Sequence, residues 1–144
     1  MTVKAILSRK GNDVITIEPT VTLSAAVNIL AEHRIGALVV VAGADEQVAG
    51  ILSERDIVRA LAQRGPGALQ EAVGQVMTRR VVTCTESDTV AALMERMTQG
   101  KFRHLPVVER GKLVGLVSIG DVVKHRLGEM EHESNALREY ILTA

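Results

Sequence analysis

The chain matches itself. Val14-Ile15-Thr16 returns as Val81-Val82-Thr83, and Leu38-Val39-Val40-Val41 returns as Leu105-Pro106-Val107-Val108. Gly50-Ile51-Leu52-Ser53-Glu54-Arg55-Asp56 returns as Gly115-Leu116-Val117-Ser118-Ile119-Gly120-Asp121. Three segments recurring in the same order constrain the fold more tightly than any local propensity, because each copy is then one supersecondary unit and the units must stack to bury their apolar faces. The first two pairs lie 67 residues apart and the third 65. The loop at residues 42–47 is therefore two residues longer than its counterpart, a difference loops absorb.

Periodicity fills in each copy. A short β-branched strand is predicted at residues 14–17 and again at 81–84. A helix follows, with Leu23, Val27 and Leu30 in the first copy and Val90, Leu93, Met94 and Met97 in the second recurring at core-facing spacing. Two apolar strands come next, 37–41 with 48–52 and 104–108 with 113–117, joined by turns containing Gly43 and Gly111. A second helix starts after Ser53 and Ser118, with one apolar stripe each from Ile57, Val58 and Leu61, and from Val122, Val123 and Leu127. Each copy thus reads β-α-β-β-α.

Gly65-Pro66-Gly67 punctuates the connection, and residues 129–143 read as a final helix carrying Met130, Leu137, Tyr140 and Ile141, suited to packing or a dimer contact. The expected organisation is a first repeat at 1–64, a linker at 65–75, a second repeat at 76–127 and a C-terminal helix at 128–144. The fold class is mixed α/β (α+β), the two repeats packed with pseudo-two-fold symmetry so that two related clefts form.

Composition narrows the function classes. An apolar share of 47% suffices for a core, whereas 17 basic residues against 17 acidic ones leave no global field for a nucleic-acid backbone. Phe102 and Tyr140 are the only aromatics, too few to stack bases of a single strand. No apolar run approaches the roughly 20 residues that span a bilayer. Residues 1–10 lack the charged and apolar regions of a leader, so a cytoplasmic protein is expected. The single Cys84 sits in an apolar run and reads as a small buried thiol without a redox role. His33 reads as a helix-end residue, and His125 and His132, among Glu129, Glu131 and Glu133, as part of a solvated helix face. With no Gly-rich phosphate loop, nucleophile elbow or metal-spaced Cys/His set, no turnover is expected.

The repeated Gly-apolar-apolar-Ser-x-x-Asp is the sharpest local signal. It places Ser53 and Asp56, and Ser118 and Asp121, at strand-to-helix junctions. One reading is structural: Ser is a good N-cap, and an acidic residue three positions on completes a capping box and suits the helix dipole. The other uses the same physics for binding. Free N–H groups at a helix start hold an anion, and a carboxylate accepts both hydroxyls of a ribose, so the pair suits a nucleoside phosphate. The base would then sit between aliphatic walls and be read by backbone groups near Thr16, Thr83 and Ala37. Arg103-His104 enters the second hairpin where the first copy has Gly36-Ala37, giving the second copy more anion-holding chemistry; Arg55 and Arg59 partly compensate in the first.

With these features together, the chain resembles a pair of CBS (cystathionine beta-synthase-type) domains, a Bateman module, over about residues 3–127. Ser53-Glu54-Arg55-Asp56-Ile57-Val58 and Arg103-His104-Leu105-Pro106-Val107-Val108 look like small stand-alone bacterial members. The resemblance implies a non-catalytic regulatory module whose clefts bind AMP, ADP, ATP, NAD or S-adenosylmethionine. It puts Asp56 and Asp121 on ribose, Ser53 and Ser118 on phosphate, Thr16, Thr83, Ala37 and Leu105 near the base, and Arg103 and His104 on phosphates. Gly36, Arg55 and Pro106 complete the candidate set. It further implies a disc-shaped homodimer acting on a regulated enzyme or transporter. A dimerisation module without ligand, its Ser-x-x-Asp pairs serving only as caps, is the alternative.

Overall fold

The computed structural model describes residues 1–143 and repeats itself down to single residues. In the first copy, helix α2 (Leu23–His33) begins on Thr22, whose side chain accepts the Ala25 N–H at 3.2 Å. In the second, α5 (Val90–Gly100) begins on Thr89, which accepts the Ala92 N–H at 3.1 Å. Both helices end on a cationic residue in the left-handed region, Arg34 at φ 55° and Lys101 at φ 56°, where the chain turns sharply into a hairpin. Strands β2 (Ala37–Ala42) and β3 (Gln47–Ser53) pair antiparallel, as do β4 (His104–Glu109) and β5 (Lys112–Ser118), with a register shift at the equivalent points Val40/Val41 and Val107/Val108. The first hairpin's turn is longer by two residues, as the offsets demand; in the second, Arg110 (φ 51°) and Gly111 (φ 78°) are both left-handed, as a two-residue hairpin turn requires.

The leading strands differ from expectation. In the first copy β1 (Thr16–Ile17) is two residues long and lies parallel to β2, Thr16 opposite Val39 and Ile17 opposite Val40. In the second, the strand expected at 81–84 shrinks to one bridge between Cys84 and Val107, made by Cys84 N–H to the Pro106 carbonyl (3.0 Å) and Val108 N–H to the Cys84 carbonyl (2.9 Å). In this register the next donor upstream would be the amide of residue 106, and proline has none. Val39, its counterpart, keeps its N–H.

Two cores form, and neither is made by one repeat alone. The first gathers Leu23, Leu30, Leu38, Val40, Leu52 and Ile57 together with Ala68, Val73 and Met77 from beyond helix α3 (Glu54–Arg64). Ala68 lies in the 3-10 helix Gly65–Gln70, and Val73 in the short helix α4 (Val73–Val76), so the polar connection is packed structure. The second gathers Cys84, Val90, Leu93, Met97, Leu105, Val107, Val117 and Val122 together with Val3, Ile6 and Leu7. Those three sit on α1 (Val3–Lys10), a helix not anticipated from composition. The segment ahead of each repeat therefore closes the core of the other one.

Helix α6 (Ile119–Thr143) is continuous where two helices are expected, because Gly128 costs only about 1 kcal/mol relative to Ala inside a helix and supplies no stop by itself. His125 is buried at 4% exposure, not solvated: it shares a face with fully buried Val122 three residues earlier, and its Nε2 stands 3.2 Å from Glu129 Oε1. The predicted stripes also divide. Ile57 and Val122 are buried, but Val58 (63%), Met94 (40%), Val123 (45%) and Leu127 (55%) are exposed, because one hairpin covers only about a third of a helix's circumference. Among the described residues no helix is long and apolar enough to cross a membrane.

Two equivalent glycines form the floors on which the crossing segments rest. A Cβ at Gly115 would stand 2.7 Å from Leu7 Cδ2, a side-chain tip, whereas at Gly50 it would stand 2.6 Å from Met77 Sδ and 2.8 Å from the Thr78 carbonyl oxygen. Backbone cannot swing aside as a leucine tip can. Gly50→Ala should therefore lower the unfolding free energy in urea by about 2–3 kcal/mol and Gly115→Ala by about 1 kcal/mol, within the usual range for overpacking.

Candidate functional site

Both Ser-x-x-Asp motifs are capping boxes. At α3 the Asp56 N–H donates to Ser53 Oγ (3.3 Å) and the Ser53 N–H to Asp56 Oδ2 (2.9 Å); at α6 the matching distances are 3.1 Å and 2.9 Å. Capping thus occupies one carboxylate oxygen, Oδ2, in each motif. What meets the carboxylate otherwise separates the two copies. Thr78 Oγ1 donates to Asp56 Oδ1 at 3.1 Å, while Thr78 N–H and carbonyl pair with Ile51 on β3. At the second motif, the Lys10 ammonium reaches Asp121 Oδ2 at 2.7 Å and the Leu116 carbonyl, also at 2.7 Å. Burial alone would raise the Asp121 carboxyl, but Lys10 and the Ser118 N–H outweigh it and hold the group below the ordinary carboxylate range.

Around the first motif lies a cleft of about 530 Å³, within the range of small-molecule sites. It is lined by Gly36, Ile51, Ser53 and Asp56, by Arg55 and Arg59 of α3, and by Val81, Val82 and the run 100–104. The cleft therefore joins residues of both repeats. Arg103 and His104, expected to serve the second copy's motif, line the cleft of the first, facing Gly36, the residue equivalent to Arg103. A Cβ at Gly36 would lie 3.7 Å from His104 Cε1. The grouping by copy is incomplete: Arg103 and His104 line the cleft of the first motif while staying beside their own, the Arg103 carbonyl accepting the Ile119 N–H at 2.8 Å and His104 standing opposite Ser118 in the hairpin. Burial and then nearby Lys10 push the His104 imidazole below its ordinary value.

Gly36, Ser53, Arg55, Asp56, Arg103 and His104 thus come together. The other candidates stand elsewhere. Ala37, Leu105 and Pro106 are buried strand residues, and Thr83 is exposed. Thr16 borders a separate cavity of about 770 Å³ between the two hairpin tips, and Ser118 and Asp121 sit at the Lys10 contact. Cys84 is buried, which pushes its thiol up to about 12, helped by the Asp88 carboxylate and opposed by Arg96.

Thr78, Arg80 and Lys10 escaped the motif reading. Their signal was in the sequence: the internal match extends upstream, Ile6-Leu7-Ser8-Arg9-Lys10 against Val76-Met77-Thr78-Arg79-Arg80.

Known proteins share this architecture. A CBS-domain containing protein from Agrobacterium tumefaciens superposes with a TM-score of 0.84 at 50% sequence identity, covering 87% of this chain and 92% of that one. A CBS domain protein from Pyrobaculum aerophilum, complexed with AMP, superposes with a TM-score of 0.75 at 29% identity over 84% and 89% of the two chains. The chain is also 37% identical over 123 residues to a mitochondrial CBS domain-containing protein of Arabidopsis thaliana; the match covers 83% of this chain but 60% of that longer relative. The CBS domain family matches residues 3–63 and 73–128, two stretches that begin at α1 and at α4. The chain belongs to the CBS-domain family and carries a pair of CBS domains.

Proposed function

We propose that this protein is a non-catalytic regulatory module that binds an adenine nucleotide in the cleft around Asp56. The observation that carries the reading is that this one cleft joins a capped carboxylate from the first repeat to Arg103 and His104 from the second. Asp56 Oδ1, engaged only by a neutral hydroxyl, keeps acceptor capacity for the ribose hydroxyls. Arg103 and His104, with Arg55, Arg59 and Arg80 along the rim, meet the phosphates, where guanidinium groups bind in bidentate fashion. The base lies against Ile51, Val81 and Val82, aliphatic walls that suit a chain nearly without aromatics. A related CBS domain protein holding AMP supports the ligand class. Because the cleft spans both repeats, a bound nucleotide favours one packing of them, and a partner enzyme or transporter with differential affinity for that packing is thereby regulated.

We also place a homodimer contact on the exposed apolar face. Val58 on α3 and Val123 on α6 occupy equivalent positions and are both open to solvent, and Leu127 and Met130 extend the face along α6. A second copy presenting the same face would cover it, as an isologous interface requires.

Saturating AMP, ATP or NAD should raise the melting temperature; a ligand at 100 times its dissociation constant adds about 2.7 kcal/mol. Asp56→Asn retains a capping side chain but loses the charge-assisted ribose contact, so the shift should vanish while unliganded stability changes by less than about 1 kcal/mol. Flat melting curves for all three nucleotides would favour the ligand-free dimerisation module. For the dimer, Val123→Glu should halve the mass measured by light scattering after size exclusion; an unchanged mass would move the contact elsewhere.

A further inference from the structure

Helix α6 carries apolar residues on two faces, and the chain covers only one of them. Val122 and His125 are buried against the body, at 0% and 4% exposure. On the far side Val123, Leu127, Met130, Leu137 and Ile141 stand between 45% and 65% exposed, with Ser134 the one polar residue in their row. The row is spaced by four, three, four, three and four residues, the 3.5-residue repeat that joins two helices along a seam. The space against Val123 and Leu127 is open, a trench of about 830 Å³ that Arg9, Arg103 and Glu131 also border. Beyond the body, residues 130–143 are exposed at every position. A helix end of that length gains little stability until one of its faces is packed.

We propose that α6 pairs along this row with α6 of a second copy, as a parallel two-stranded coiled coil about 27 Å long. The pairing rests on the dimer contact placed at Val58 and Val123, and it fixes the orientation of that dimer, with the two C-termini side by side. Val123, Met130 and Leu137 take the d positions of the repeat, and Leu127, Ser134 and Ile141 the a positions. The charges flanking the row choose the direction. In parallel register each g residue meets the e residue five positions on in the other helix. Arg126 then meets Glu131 of the second copy, and Glu133 meets Arg138 of the second copy, each pair occurring twice by symmetry. Antiparallel, with Val123 against Ile141 of the second copy, Lys124 would meet Arg138, Glu131 its own counterpart and Glu133 its own counterpart, so every meeting of two charges is repulsive. Arg126 already touches Glu129 in its own helix at 2.9 Å, and its remaining donors are free for a second carboxylate. Among the described residues Glu133 and Arg138 form no ion pair within the chain.

Sedimentation equilibrium of the full chain and disulfide trapping test this. The native chain should be a dimer. Glu133→Arg alone, or Arg138→Glu alone, turns two attractions into two repulsions and should raise the dissociation constant about tenfold; the two together restore the pairing and should return it close to the native value. Leu137→Cys should give a covalent dimer under mild oxidation, because d residues in parallel register face their own counterparts within disulfide reach. In the antiparallel arrangement the two thiols would lie about 15 Å apart along the axis. Cys84, the only native thiol, is buried and does not compete. A native dimer indifferent to the single charge reversals, one not restored by the double exchange, or one that Leu137→Cys fails to trap would each overturn the coiled coil while leaving the contact at Val58 and Val123. A monomeric native chain would remove that contact and this pairing together, and leave the row for a helix of another protein.

Discussion

The crossing of α1 and of the 3-10/α4 segment onto the opposite repeats is the interaction on which the rest depends. A β-α-β-β-α unit of about 60 residues covers one face of a small hairpin with two helices and leaves its end open. Here Val3, Ile6 and Leu7 fill that opening in the second core, and Val73 and Met77 fill it in the first. Gly50 and Gly115 have no side chain because these segments lie directly on them. Since each filling segment belongs to the chain leading into the other repeat, the packing of the two halves is coupled through both cores, and with it the walls of the cleft between them.

That packing lets one element do two things. A capping box satisfies two orphan backbone donors at a helix start and is reason enough for Ser and Asp in these positions. Yet capping takes only Oδ2 of Asp56, and the crossing brings Thr78 to Oδ1 and Arg103 and His104 to the far side of the cleft. Capping and binding are therefore not rival explanations of Asp56. The cap fixes the carboxylate's position, and fixed geometry lowers the ordering cost of any ligand that uses it.

Much of this was legible in the sequence because the repeat carries information twice. The hairpins, their unequal turns, the helix starts after Ser53 and Ser118 and most of the core follow from residues such as Leu38 and Leu105, whose roles are local or set by periodicity. The rest is set by tertiary contacts. The second copy's leading strand is cut to a bridge by a proline on the neighbouring strand, a fact of register. The exposure of Val58, Val123 and Leu127 reflects how little of each helix a hairpin can cover, and His125 is turned inward by the face it shares with Val122. Arg103 and His104 belong to the first motif's cleft only because the repeats cross, which no comparison of the copies in isolation reveals.

The same crossing explains why identical motifs diverged. Residues that reach each carboxylate come from the leading segments, and those are the parts of the repeat where the copies differ most: Ser8-Arg9-Lys10-Gly11-Asn12-Asp13 against Thr78-Arg79-Arg80, with three residues missing from the second. The extra residues after α1, starting with Gly11 at φ 95°, let the chain leave the helix in a direction its counterpart cannot take, and Lys10 lies at that exit. Thr78 is held flat against β3 by its own backbone pairing with Ile51 and offers a hydroxyl; Lys10 lacks that pairing and reaches the strand with its side chain. A difference of backbone path in the leading segments thus becomes a difference of charge at the two motifs, a neutral hydroxyl on Asp56 Oδ1 and an ammonium on Asp121 Oδ2.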